Sequence, residues 1–203
     1  MSRKNNGHRG GLAPSKYLTP EEVGSLLAFV QARTRTSKAK KHRDDHLIVD
    51  LMTGAGLRAA DVCDMRIKDT PTHHKKQVVY VRNGKGQVSR AIDISSALAQ
   101  HIQEYVAEYR TDAKPGDPLI LARTGKPISY MTIYQKIVKI GKDMGMPDTL
   151  HPHKLRHSFA VRLYAVENDL LFVSQQLGHS DVSTTQIYAR TTPKAARRQM
   201  EAL

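Results

Sequence analysis

The sequence predicts an α+β fold, mainly α-helical, with one small antiparallel β-sheet. Three observations predict it. Apolar residues recur at helical spacing through most of the chain, one stretch of short β-rich runs around an Asn-Gly turn interrupts them, and helix-start signals punctuate the rest.

From Met1 to Leu18 the chain is rich in Gly, Asn and Ser and carries Arg3, Lys4, Arg9 and Lys16 without an acid, so it reads as a flexible basic arm. Order is expected from Thr19, where Thr19, Pro20 and Glu22 supply an N-cap, a first-turn proline and a capping-box acid. Val23, Leu26, Leu27 and Val30 give that helix its buried face. A polar break is expected over Thr34–Arg43, crowded with Arg35, Lys38, Lys40, Lys41 and Arg43, before a helical stretch Asp44–Met52. Between Gln77 and Ile94, the runs Val78–Val81 and Val88–Ile94 flank Asn83-Gly84-Lys85-Gly86 and predict a hairpin. Helical spacing returns over Ser95–Tyr109, capped by Ser95 or Ser96, with Leu98, Ile102 and Tyr105 on one side. After Ser129, Ile133, Ile137, Ile140 and Met144 form an apolar face while Lys136, Lys139 and Lys142 form a basic one. The domain division expected is a flexible arm at 1–18 and one domain at 19–203, with no separate N-terminal domain.

The chain has 203 residues, 39% of them hydrophobic, with a formal charge of +13 and a sequence pI near 9.9. A field of that sign attracts polyanions, and nucleic acid is the expected partner. No segment approaches the roughly 20 consecutive apolar residues that span a bilayer, and the amino terminus lacks the apolar stretch of a secretory signal. A cytoplasmic, nucleoid-associated protein with no membrane partner is expected. The single cysteine, Cys63, reads as a buried structural thiol.

Four segments offer groups suited to a phosphodiester. Gly54-Ala55-Gly56-Leu57-Arg58 places a guanidinium, able to grip two phosphate oxygens, near a helix start. Lys85 sits between two glycines at the hairpin tip. His151-Pro152-His153-Lys154-Leu155-Arg156-His157 puts His153 and Arg156 three residues apart on a helix begun by Pro152. Leu177-Gly178-His179-Ser180 sets His179 at a helix junction nine residues before Tyr188. His153 and His157 also have the spacing of a metal pair, but no cysteine or carboxylate cluster nearby completes a ligand set, so neither a metal nor another cofactor is expected. Each segment alone has an ordinary structural explanation: a surface ion pair, a solubilising lysine, a packing tyrosine.

Together the four resemble the tyrosine recombinases, or phage integrases, from Thr19 onward. That family carries an arginine after Gly-Leu, a hairpin lysine, a His-x-x-Arg pair, a His or Trp after Leu-Gly, and a nucleophilic tyrosine. The matching positions are Arg58, Lys85, His153 with Arg156, His179 and Tyr188. Two positions depart: Val88 stands where a second lysine is usual, and Asp61, a support for Arg58, stands where many members carry Glu. The resemblance implies a DNA strand transferase of integrase or invertase type, cleaving and rejoining through a 3′-phosphotyrosine without metal or ATP. It implies phage or mobile-element origin, and a homotetramer on synapsed DNA; the high charge suggests a monomer when free. It leaves two alternatives, a type IB topoisomerase-like relaxing activity and a DNA-binding regulator that does not cleave. Lys136, Lys139 and Lys142 are candidate DNA contacts, and Ala196, Met200 and Leu203 a candidate docking face of a last helix after Thr192 and Pro193.

Overall fold

The computed structural model describes residues 11–37, 39–74, 76–82, 88–146, 148–178, 182–189 and 191. Helix α1 (Pro20–Thr36) starts as its sequence signals require: Glu22 N–H donates to Thr19 Oγ1 at 3.2 Å, and Thr19 N–H to Glu22 Oε2 at 2.8 Å. This reciprocal pair satisfies two of the N–H groups that a helix start leaves orphaned.

Two boundaries differ from expectation. Within the expected arm 1–18, residues 11–18 are tied down and 1–10 lie outside the described residues: Leu18 is 1% exposed, its N–H donates to Ser158 Oγ at 2.8 Å, and Leu12 N–H donates to Thr191 Oγ1 at 2.7 Å. Three apolar side chains, Leu12, Tyr17 and Leu18, pack where composition alone suggested none would. The expected polar break at 34–43 narrows to the junction between α1 and α2 (Lys40–Gly54). Lys40 begins α2 because its ammonium is held three ways, by Asp44 one turn on at 2.6 Å, by the Tyr105 hydroxyl at 2.9 Å and over the Tyr105 and Tyr109 rings.

Helix α3 (Ala59–Asp64) follows the Gly54–Leu57 turn, and a short α4 (Pro71–His74) precedes the hairpin. Strands β1 (Val78–Arg82) and β2 (Val88–Asp93) pair antiparallel, Val79 opposite Ile92 and Val81 opposite Arg90, with an irregularity between Val81 and Arg82. Period-2 alternation turns Val79 and Val81 inward. The tip carrying Lys85 lies outside the described residues.

Helix α5 (Ser96–Tyr109) is capped by Ser95, whose Oγ accepts Leu98 N–H at 3.2 Å, and buries Leu98, Ile102 and Tyr105. Helix α6 (Tyr130–Asp143) is capped likewise by Ser129 and buries Ile133, Ile137 and Ile140. These elements enclose the main core with α1, α2 and the N-terminal half of α7 (Pro152–Glu167). A second, smaller core unites the rest of α7 with α8 (Leu170–Leu177) and α9 (Gln186–Ala189), and the ring of Tyr188 is one of its members. No described helix is long and apolar enough to cross a membrane.

Candidate active site

The site is built where the end of α2, the start of α7 and the end of α8 converge. Gly56 adopts φ +62°, and a Cβ there would lie 2.3 Å from the Phe159 ring, so only glycine lets this backbone turn against α7. The turn aims the Gly56 carbonyl at Arg156, whose Nη1 donates to it at 2.5 Å, while Nη2 donates to the Leu177 carbonyl at 2.7 Å. One buried guanidinium therefore joins three helix termini. Burial, followed by the neighbouring charges of Arg58 and Arg90, brings its pKa down to about 10, which leaves it fully cationic at neutral pH.

Arg58 occupies the N-cap position of α3, where its N–H donates to Asp61 Oδ2 at 3.0 Å. The same Asp61 oxygen accepts from Arg90 Nη2 at 2.8 Å. Arg90, from β2, was not singled out by the sequence, since a lone strand arginine carries no motif. It packs also under Gly178, which ends α8 in the left-handed region at φ +64°; a Cβ there would lie 2.6 Å from Arg90 Nη1. Asp61 and Arg90 thus connect Arg58 to the turn that leads to His179, which itself lies outside the described residues, as does Lys85.

Helix α7 starts on an unusual cap: His151 Nδ1 accepts Lys154 N–H at 3.2 Å, with Pro152 at the first helical position. Its first turn presents His153, exposed, and the next turn Arg156, buried. Arg58, His153 and Arg156 line one cavity of about 110 Å³, closed by Ala59, Tyr130 and Pro152. The two guanidinium groups and the imidazole on its wall are the kinds of donor that a phosphoryl group would meet.

Tyr188 is 2% exposed. Burial raises the pKa of its hydroxyl, while Arg156 and Arg58 pull it back down. Its oxygen lies 2.9 Å from His157 Nδ1, and the two rings are 5.9 Å apart between centroids. His153 stands further out, its ring 6.4 Å from that of His157. The family resemblance implies His153 as the base that assists Tyr188, whereas the structure brings His157 to the hydroxyl; the i,i+4 spacing of the two histidines is the signal that both share a helix face.

The three candidate DNA lysines of α6 divide. Lys136 is paired with Asp45 at 2.5 Å and Lys139 with Asp143 at 3.0 Å, whereas Lys142 is exposed. Cys63 is half-buried.

A helical catalytic core with a two-stranded antiparallel hairpin, presenting two arginines and a histidine to one cavity beside a buried tyrosine, defines the integrase class of fold. The sequence matches the Phage integrase family over residues 16–195, and the chain belongs to that family. Among its relatives, tyrosine recombinase XerA of Pyrococcus horikoshii is 37% identical over 187 residues, 92% of this chain and 60% of that protein. Tyrosine recombinase XerC of a Methylobacterium species is 34% identical over 146 residues, 72% of this chain and 45% of that protein. The chain thus spans about three fifths or less of the curated relatives it matches. Among solved structures, a XerA recombinase superposes with a TM-score of 0.75 at 26% identity, covering 92% of this chain and 64% of that one. The Tn1549 transposon integrase in complex with transposon right end DNA gives 0.74 at 26% identity, covering 95% and 67%.

Proposed function

We propose that this chain is the catalytic domain of a site-specific DNA recombinase, cutting and rejoining strands through a 3′-phosphotyrosine at Tyr188. The observation that carries the reading is that Arg58, far in sequence from His153 and Arg156, lines a single cavity with them, while the charges of Arg58 and Arg156 also lower the pKa of the Tyr188 hydroxyl. Relatives named tyrosine recombinases, and a like fold solved on DNA, support it.

A phosphodiester repels nucleophiles with its own charge, and its pentavalent transition state carries more. Arg58 and Arg156 supply the compensating charge from fixed positions, which is the form of stabilisation that costs no reorganisation during reaction. Arg156 is fixed by the two carbonyls it already binds, and the backbone from which Arg58 projects is held by Asp61, itself paired with Arg90. With His157 neutral and carrying its proton on Nε2, the Tyr188 hydroxyl donates to His157 Nδ1, so His157 receives the proton as the tyrosine oxygen bonds to phosphorus. His153 lines the phosphate cavity and contacts the transferred group. The P–O5′ bond breaks as that one forms; Lys85 protonates the departing 5′-oxygen and His179 donates a hydrogen bond to the phosphate. The phosphotyrosine keeps the energy of the broken bond, so a 5′-hydroxyl of another strand reverses the step. The arginines meet the charge requirement, and the chemistry asks for neither a metal nor ATP.

DNA is the substrate and the site of assembly: a monomer when free, a tetramer on synapsed DNA, acting on the nucleoid in the cytoplasm. Lys142, more than Lys136 or Lys139, is placed to add phosphate contact, since its neighbours already hold carboxylates. The test is a nicked suicide substrate carrying the protein's own crossover site. The wild-type chain traps a covalent adduct and Tyr188→Phe binds the same DNA without one; an adduct from Tyr188→Phe would show the nucleophile to be another residue.

A further inference from the structure

Away from the cavity of Arg58 and Arg156, α2 and α5 pack side by side and bring together three half-buried groups with metal-ligand chemistry, His46, Asp50 and His101. His46 and Asp50 are four residues apart, on one face of α2. His101 comes from the facing turn of α5, and its Nδ1 is 2.7 Å from Asp50 Oδ2. The His46 and His101 rings lie 4.2 Å apart between centroids, and one ligand atom from each of the three residues lies within 4.8 Å of the others.

We propose that His46, Asp50 and His101 bind one borderline divalent transition-metal ion, of which Zn²⁺ is the type, and that the ion clips α2 to α5. Two imidazoles and a carboxylate are the donor set such ions take, whereas the harder Mg²⁺ and Ca²⁺ take oxygen. Bonds of about 2.0–2.1 Å from a tetrahedral ion set its ligand atoms roughly 3.4 Å apart, so the present spacing closes by side-chain rotation about χ1 and χ2, without moving either helix. The ion takes the place of the proton now shared between His101 Nδ1 and Asp50 Oδ2, and His101 carries its proton on Nε2 instead.

A second observation points to the same place. His46 and His101 line a cavity of about 210 Å³ together with Arg35, Arg43, Glu104 and Glu108. The two carboxylates and two guanidinium groups of that lining balance in charge, and the cavity leaves room beside the imidazoles for a water to complete the shell. The clip is structural: it holds the helix whose end, at Gly54, leads within four residues to Arg58, and it takes no part in the chemistry proposed for Tyr188.

The test is titration of the untagged full chain at pH 7.5 with Co²⁺ and then Zn²⁺. The expected result is one equivalent of Co²⁺ bound with visible d–d absorption, displacement by Zn²⁺, and a Tm that rises with added Zn²⁺. His46→Ala and His101→Ala should each weaken binding at least tenfold. Asp50→Asn keeps the shape of the side chain and should weaken binding tenfold or more with unchanged circular dichroism, which separates lost ligation from lost folding. A wild-type chain that binds no stoichiometric ion overturns the proposal. So does binding that survives all three substitutions, or that disappears instead with His151→Gln and His153→Gln at the start of α7.

Discussion

His157 Nδ1 lies 2.9 Å from the Tyr188 hydroxyl, across a gap of 31 residues in the chain. This pair ties the tyrosine of α9 to the helix that also carries His153 and Arg156, so the candidate nucleophile and two of the three groups proposed to meet the phosphate are held by one element. It also gives Tyr188, whose ordinary pKa near 10 leaves little phenolate at neutral pH and whose burial raises it further, a partner able to take its proton.

His157→Ala should therefore lower the rate of adduct formation by about 10²-fold, the usual scale for losing a positioned proton acceptor, while DNA affinity stays near wild type. Single-turnover cleavage of a suicide substrate against pH reads the effect, and the loss should be smallest at high pH, where hydroxide competes as base. An unchanged rate and profile would leave His157 a packing residue.

Arg156→Lys should fail both structurally and catalytically. An ammonium is a single donor centre and cannot span the Gly56 and Leu177 carbonyls in the planar fork that guanidinium provides. A buried carbonyl left unpaired costs about 1–3 kcal/mol, and cleavage should fall by about 10²-fold or more. Urea unfolding and cleavage assays would show it; wild-type values for both would refute the bridging role.

Gly56→Ala should destabilise the fold by at least about 2 kcal/mol, because φ +62° strains any side-chain-bearing residue and the new methyl would sit inside the Phe159 ring. Gly145, also at positive φ but with nothing near a built Cβ, is the control and should lose only the conformational part, about 1 kcal/mol, in the same unfolding experiment.

Cys63 should alkylate slowly in the folded chain. Burial first, and then the Asp64 carboxylate, push its pKa up to about 11, so at pH 8 the nucleophilic thiolate is scarce and grows only as pH climbs toward 11. Iodoacetamide should react about 10²-fold slower with native protein than with the urea-unfolded chain, whose thiol has an ordinary pKa near 8.5. Equal rates would mean that the thiol is neither shielded nor shifted.

The local grammar of the chain was legible without coordinates. Thr19, Ser95 and Gly178 cap helices as their types and spacing require, and the two β-rich runs pair antiparallel as their placement around Asn83-Gly84 predicts. What misled was composition read one segment at a time. Residues 11–18 looked too polar to order, and 34–43 too basic, because the partners that hold them, Ser158, Thr191 and Tyr105, lie 65 to 179 residues away.

By itself the sequence determined which groups are chemically suited to a phosphodiester and in what order the chain supplies them, since hydrogen-bonding capacity, charge and helical period belong to residues and their near neighbours. Only tertiary structure decided that His157 rather than His153 meets the tyrosine, that Arg156 is clamped by two carbonyls, and that Arg90 stands behind Asp61. Those pairings cross 21 to 100 positions of chain. Whether two such groups touch depends on how helices pack and where a glycine lets backbone approach, and packing is a property of the whole fold.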